Sequence, residues 1–176
     1  MWAELEYVEN SDIYSEIIEE GIKKAQEFIW IATANIKILR IRHKKRVISI
    51  ISLFERLVAH GIQIRILHGS PPSVPFQNHL SLSPLLLKSQ NFSMVRCPRV
   101  HMKMIIIDNK KAYMGSANLT GAGLGLKLET NRNFEVGIIV PEGPILERMA
   151  TFFDFLWQGE MCQDCSLRSK CPNPIK

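Results

Sequence analysis

The sequence predicts an α/β domain built in layers around a partly parallel sheet. Two periodicities carry that expectation. Ile62, Ile64 and Ile66 alternate with polar neighbours, which is the two-residue repeat of a strand. Tyr14, Ile17, Ile18, Ile22 and Ala25 recur at helical spacing, and residues 44–60 do so again. Strand, helix and strand in succession describe a layered α/β protein. The 176 residues, 46% of them apolar, suffice for one well-buried domain and are too few for two ordinary ones.

The elements follow in order. A first helix begins at a cap on Ser11 or Asp12. Residues 28–34 are rich in β-branched side chains and read as a strand. Residues 44–60 are expected as an amphipathic helix with Val47, Ile48, Ile51, Phe54, Leu57 and Val58 inward and Gly61 as its stop. A strand through residues 62–66 comes next. Residues 70–84 hold Pro71, Pro72, Pro75 and Pro84 and are expected as a loop. A short helix over 85–89 leads through 92–95 to a strand over 100–107. A turn at Asn109-Lys110 and a short returning strand to Met114 follow. After an apolar run over 136–140, Pro141-Glu142-Gly143-Pro144 is a turn. Residues 145–157 form the last helix, packed on the sheet. The expected organisation is a domain over 1–158 and a cysteine-rich tail over 159–176.

The chemistry concentrates in one stretch, HMKMIIIDNKKAYMGSAN. It reads His101-x-Lys103, then Asp108, then Gly115-Ser116-x-Asn118. A strand turns His101 and Lys103 to the same face with Cα atoms roughly 6.5–7 Å apart. At that distance an imidazole and an ammonium can touch one phosphate. Gly115 allows close backbone approach. Ser116 and Asn118 offer neutral hydrogen-bonding groups.

This pattern resembles the HKD signature of the phospholipase D superfamily at all six positions. The stretch SANLTGAGLG is similar to the loop that follows the motif in the superfamily's nuclease branches. The resemblance runs over about residues 11–157. It implies a layered α/β/α sandwich with a mixed, partly parallel sheet, and a phosphodiesterase that needs no metal or other cofactor for catalysis. The substrate it implies is DNA or RNA, cut by an endonuclease. It implies that His101 attacks phosphorus to form a phosphohistidine, that a second histidine protonates the leaving oxygen, and that water then releases the enzyme. Lys103 and Asn118, with Ser116, would stabilise charge on the phosphoryl oxygens. Glu135, ahead of the apolar run over 136–140, stands where the family places a carboxylate that holds a ring nitrogen of its histidine. Asp108 belongs to the same catalytic set, orienting the network rather than touching substrate.

That chemistry needs two histidines. The chain has five, and His43, His60, His68 and His79 lack the pattern around His101. A homodimer with two-fold symmetry brings two copies of His101 together, as in the single-motif nucleases of the family. The alternative, in which His68 or His79 supplies the acid within one chain, stays open on sequence.

The formal charge is +5. Lys37, Arg40, Arg42, Lys44 and Lys45 form a dense basic cluster, expected to bind a phosphate backbone. No stretch approaches twenty apolar residues, so no membrane span is expected. The acidic N-terminus lacks a signal pattern, which points to the cytoplasm. Two other readings compete. A phospholipase D-type lipid hydrolase would use the same chemistry with a membrane-contacting element. A non-catalytic nucleic-acid-binding subunit of a larger assembly would bind without turnover.

Cys162, Cys165 and Cys171 form C-x2-C-x5-C, and Cys97 completes a four-thiolate set. Structural zinc and a [4Fe–4S] cluster both suit such ligands.

Overall fold

The apolar runs become strands and helices in a computed structural model that describes residues 4–175. In chain order they are β1 (Glu6–Glu9), α1 (Ser11–Tyr14), β2 (Phe28–Thr33), β3 (Arg40–His43), β4 (Arg46–Ser49), α2 (Ile50–Ala59), β5 (Gln63–His68), α3 (Val74–Ser81), α4 (Pro84–Lys88), β6 (Phe92–Arg96), β7 (Met104–Ile107), β8 (Lys111–Gly115), β9 (Val136–Pro141) and α5 (Pro144–Trp157). Residues 1–3 of the acidic N-terminal stretch and residue 176 of the tail lie outside the described residues.

Seven strands make one sheet in the order β1-β9-β8-β7-β2-β5-β6. β2, β5 and β6 run parallel, while β1, β9, β8, β7 and β2 pair antiparallel in turn. The sheet is therefore mixed and partly parallel, as the sequence predicts. Helices cover both faces. Ile29 and Ile31 of β2 and Ile105 and Ile107 of β7 pack with Ile13, Ile17, Phe54, Phe76 and Leu86 from the helices on one side. Ala32, Met104 and Ile106 meet Leu146, Met149 and Phe153 of α5 on the other. On that second side Trp30, Phe153 and Trp157 stack in a column, with ring centroids 5.2 and 5.9 Å apart. The Arg65 guanidinium lies over both tryptophans and pairs with Asp154 at 3.2 Å.

Several expected boundaries move, each for a physical reason. The helix expected over 44–60 begins only at Ile50, where the Ser49 side chain accepts the Ser52 N–H at 3.0 Å. Residues 40–49 are instead a separate two-stranded hairpin, β3 with β4. Ile41 is buried between the outward Arg40 and Arg42, and Val47, expected inward, is exposed. The loop expected over 70–84 contains α3. Pro75 and Pro84 sit at the starts of α3 and α4, where a missing N–H costs nothing, and Ser73 and Ser83 cap the two helices. The first helix is irregular: one turn of α1 widens into a π turn over Ser15–Glu19, and a 3-10 turn follows over Ile22–Lys24. β1, for which the sequence carries no clear period, pairs along β9.

Candidate active site

The site lies along the sheet edge where β2, β5 and β6 end and β7 begins. By strand alternation, Thr33, His68 and Arg96 belong to the face of Ile31, Ile66 and Met94. His101 and Lys103 stand just ahead of β7, which begins at Met104 and not at residue 100 as expected. The ladder to β8 continues past the named strand, since the Gly115 N–H donates to Lys103 O at 3.2 Å. His101 is exposed, and Lys103 Nζ lies 3.4 Å from its Nδ1 and donates to its carbonyl at 2.8 Å. The two side chains expected to share a phosphate are thus neighbours on an open surface.

At Gly115 the neighbouring chain leaves no room for a side chain. A Cβ there would lie 2.4 Å from Tyr113 Oη and 2.4 Å from Val136 O. Gly137, its partner across the ladder, is equally constrained, since a Cβ would meet the Tyr113 ring at 2.3 Å. Tyr113 lies across both glycines, and its hydroxyl accepts the Ala117 N–H at 3.1 Å. Burial raises its pKa. This clamp sets the turn that carries Ser116 and Asn118.

Asn118 is oriented by a donor that cannot rotate. The Asn35 backbone N–H donates to Asn118 Oδ1 at 3.0 Å, and the Thr33 hydroxyl lies 3.2 Å from the same oxygen. A backbone N–H can face only an acceptor, so the side-chain Nδ2 points the other way and offers two donors. Leu119 N–H donates to Thr33 Oγ1 at 3.1 Å, and Lys37 N–H to Leu119 O at 3.0 Å. Thr33 and Asn35, which sequence reasoning missed, therefore position Asn118. The available signal was Thr33 itself, a buried hydroxyl ending an apolar strand.

Glu135 is 7% exposed. Its carboxylate accepts from the Ser116 hydroxyl and from Asn133 Nδ2, the latter at 2.9 Å. Its N–H donates to Asn10 Oδ1 at 3.3 Å, and the Asn10 N–H returns to its carbonyl at 2.9 Å. Within one chain this carboxylate therefore holds Ser116 and not His101, a departure from the expected contact.

Asp108 is not at this edge. It follows the far end of β7, where Asp108 and Asn109 adopt φ of 52° and 53° in the hairpin turn, one residue ahead of the turn expected at Asn109-Lys110. Asp and Asn tolerate that conformation. It aims the carboxylate at the N–H groups of Gln26, Glu27 and Phe28, accepted at 2.8, 2.8 and 2.9 Å. Asp108 thereby fixes the entry into β2, roughly 20 Å of extended chain from His101.

The basic cluster spans the β3–β4 hairpin and Lys37 ahead of it. Lys37, Arg40, Arg42, Lys44 and Lys45 are all exposed, with Lys44 at the turn with φ 54°. Tyr14 ties the hairpin to the body: its hydroxyl donates to Glu19 at 2.8 Å and accepts from the Arg42 N–H at 3.3 Å. Burial and the Glu19 carboxylate push the Tyr14 pKa up to about 12.

Of the other histidines, His60 and His79 place Nδ1 on carbonyls of their own helices, Arg56 and Pro75, and His43 sits on the hairpin. His68 alone shares the edge with His101. It is 6% exposed, its Nδ1 lies 2.9 Å from Ser70 O, and burial, with Arg96 nearby, lowers its pKa.

The tail returns over the ends of β5 and β6. Asn173 Oδ1 accepts the Arg96 N–H at 3.0 Å, and Arg168 donates to the carbonyls of Cys162 and Ile175 at 2.9 and 3.1 Å. All four cysteines are free and half-buried, and all line one cavity. Hydrogen bonds from the Leu167 backbone and from Arg99 lower the pKa of the Cys165 thiol. No helix among the described residues is long and apolar enough to cross a membrane.

Comparison with known proteins places this geometry. A family profile described as "Cardiolipin synthase, PLD-like domain" matches residues 18–157. NucT from Helicobacter pylori superposes with a TM-score of 0.59 at 17% identity, over 88% of this chain and 96% of that one. Nuc from Salmonella typhimurium, a phospholipase D family member, gives 0.60 at 14% identity, over 89% and 95%. TrmBL2, an archaeal chromatin protein with a described mode of DNA binding, gives 0.53 at 13% identity, over 87% and 52%. At these identities the structures share a fold with this chain. No curated protein matches the sequence.

Proposed function

The chain belongs to the phospholipase D superfamily, in its cardiolipin synthase, PLD-like family, and from that premise we propose that it cleaves nucleic acid as a metal-independent phosphodiesterase with His101 as nucleophile. The observation that carries this reading is the exposed His101–Lys103 pair beside a pre-aimed Asn118 amide. The cationic hairpin on the same chain favours a polyanion as substrate.

In the proposed reaction a lone pair on His101 bonds phosphorus as the bond to the leaving oxygen breaks. A second imidazolium gives that oxygen a proton. Water then bonds phosphorus, its proton goes to the second imidazole, and the P–N bond to His101 breaks. Lys103 Nζ and Asn118 Nδ2 donate to the non-bridging oxygens as charge builds on them. Each such donor contributes on the order of 3 kcal/mol to the barrier reduction. Ser116, held by Glu135, completes the rim. Asp108 is a positioning residue for β2.

The second imidazolium is assigned to the partner's His101 in a homodimer. His68 is the in-chain candidate, and its environment argues against it. An acid must carry a proton near neutral pH, whereas burial and Arg96 favour the neutral ring of His68. A second copy also suits the apolar side chains left uncovered on the Glu135 loop, Phe134 at 90% and Leu128 at 78% exposed. In that dimer Glu135 acts on the partner's His101, since its own chain offers it no such contact.

The test is cleavage of labelled single- and double-stranded DNA and RNA in excess chelator, beside His101→Ala and beside phospholipid vesicles. Cleavage of nucleic acid by the wild type, lost in His101→Ala, is expected. Turnover of lipid alone assigns a lipid hydrolase. Salt-sensitive binding without turnover assigns a binding subunit.

A further inference from the structure

Cys97 follows the end of β6, and Cys162, Cys165 and Cys171 lie beyond α5, yet all four thiols line one cavity of about 350 Å³. Most of its remaining wall is apolar, including Leu67, Val95, Val100 and Phe155, and two cations, Arg99 and Arg168, also face it. The thiols are not gathered for a single ion: among the described residues no three His, Cys, Asp or Glu side chains stand close enough to hold one. Zinc bonds each sulfur at about 2.3 Å, so a zinc site draws four sulfurs to within roughly 4 Å of one another. The cavity that the four cysteines help to line has room for a group larger than a single ion. A ligand that takes four thiolates and fills more space than one ion has corners of its own and an inorganic core. Its surroundings should be dry, with cations to balance thiolate charge.

We propose that this cavity holds a [4Fe–4S] cluster ligated by Cys97, Cys162, Cys165 and Cys171. Each thiol releases its proton to solvent as its sulfur bonds an iron. The ligated cluster carries net negative charge, which Arg99 and Arg168 balance, while the apolar wall keeps water from the sulfides. The cluster cross-links the tail to the end of β6. It also lies behind the nucleophile, because Arg99, Val100 and Met102 line the cavity and His101 stands between them in sequence. The segment that presents His101 is thus one wall of the cluster site.

The test reads metal and backbone order, so it stands or falls apart from nucleic-acid cleavage. The full chain is purified without oxygen, supplied with ferrous iron and sulfide, desalted, and assayed for iron, acid-labile sulfide and zinc. About four irons and four sulfides per chain are expected, with sulfide-to-iron charge-transfer absorption. Cys97→Ser and Cys165→Ser should each lose at least half of the iron, while Met161→Leu, a change in the same wall, keeps it. Circular dichroism identifies any variant that has merely failed to fold. Amide exchange over residues 99–103 should quicken in the cysteine variants and not around Glu135. One zinc per chain without sulfide, no bound metal, or iron retained in both cysteine variants overturns the proposal.

Discussion

A single carboxylate can serve a catalytic motif without standing at the catalytic edge. Asp108 accepts three backbone N–H groups where β2 begins. Asp108→Ala should therefore destabilise the fold by on the order of 3 kcal/mol, read as a shift in urea midpoint, while the molecules that remain folded turn over at the wild-type rate. His68 gives a pH signature. Its folded-state pKa lies below the unfolded value of about 6.5, so the unfolded chain binds a proton that the folded chain refuses. Stability is then full above about pH 6.5 and falls as pH drops below it. His68→Gln should flatten that part of the stability–pH curve, and an unchanged slope would mean that another group titrates there. The six motif positions were legible because their spacing is local. Their supports were not: Thr33 lies 85 positions from Asn118, and Asn10 lies 125 from Glu135, pairings that only the closed sheet defines.

At the scale of elements, period alone misassigned the basic segment. Val47, Ile48 and Ile51 fit one helical face as well as a strand, so the sequence extended α2 backward through β4. The Ser49 cap, with its bond to the Ser52 N–H, is what divides the two. The correction bears on function, since residues 46–49 become the strand that pairs with β3, on which Arg40 and Arg42 point outward together. Replacing Lys44, Lys45 and Arg46 with Gln should weaken binding to nucleic acid about equally for all sequences. The slope of log affinity against log salt should become shallower by roughly 0.9 for each phosphate that is no longer neutralised. An unchanged slope would place the substrate elsewhere. The prolines of residues 70–84 misled for a related reason. They break a helix in its interior yet favour its first turn, and the sequence alone does not say which position they occupy.

At the scale of the molecule, the proposed site is composite. If both copies of His101 act on one phosphate, only dimers of two wild-type chains are active. Mixing wild type with His101→Ala, with subunits allowed to exchange, should lower activity as the square of the wild-type fraction. A linear fall would show that each chain works alone. The three-layer arrangement was readable from strand–helix–strand order, because each apolar face needs a cover. The seventh strand was not readable: β1 is short, with only Val8 deeply buried, and it is a strand because β9 lies beside it.

That pairing also sets a clock on biosynthesis. β1 is synthesised before its partner β9, which follows all the other strands of the sheet. The same delay governs Asn10, which cannot bond Glu135 until that residue has been made. A nascent or prematurely ended chain therefore carries His101 and Lys103 without the Glu135 wall, and with one sheet edge unsealed. The edge closes and the rim of the proposed site completes in the same step, once β9 has been made.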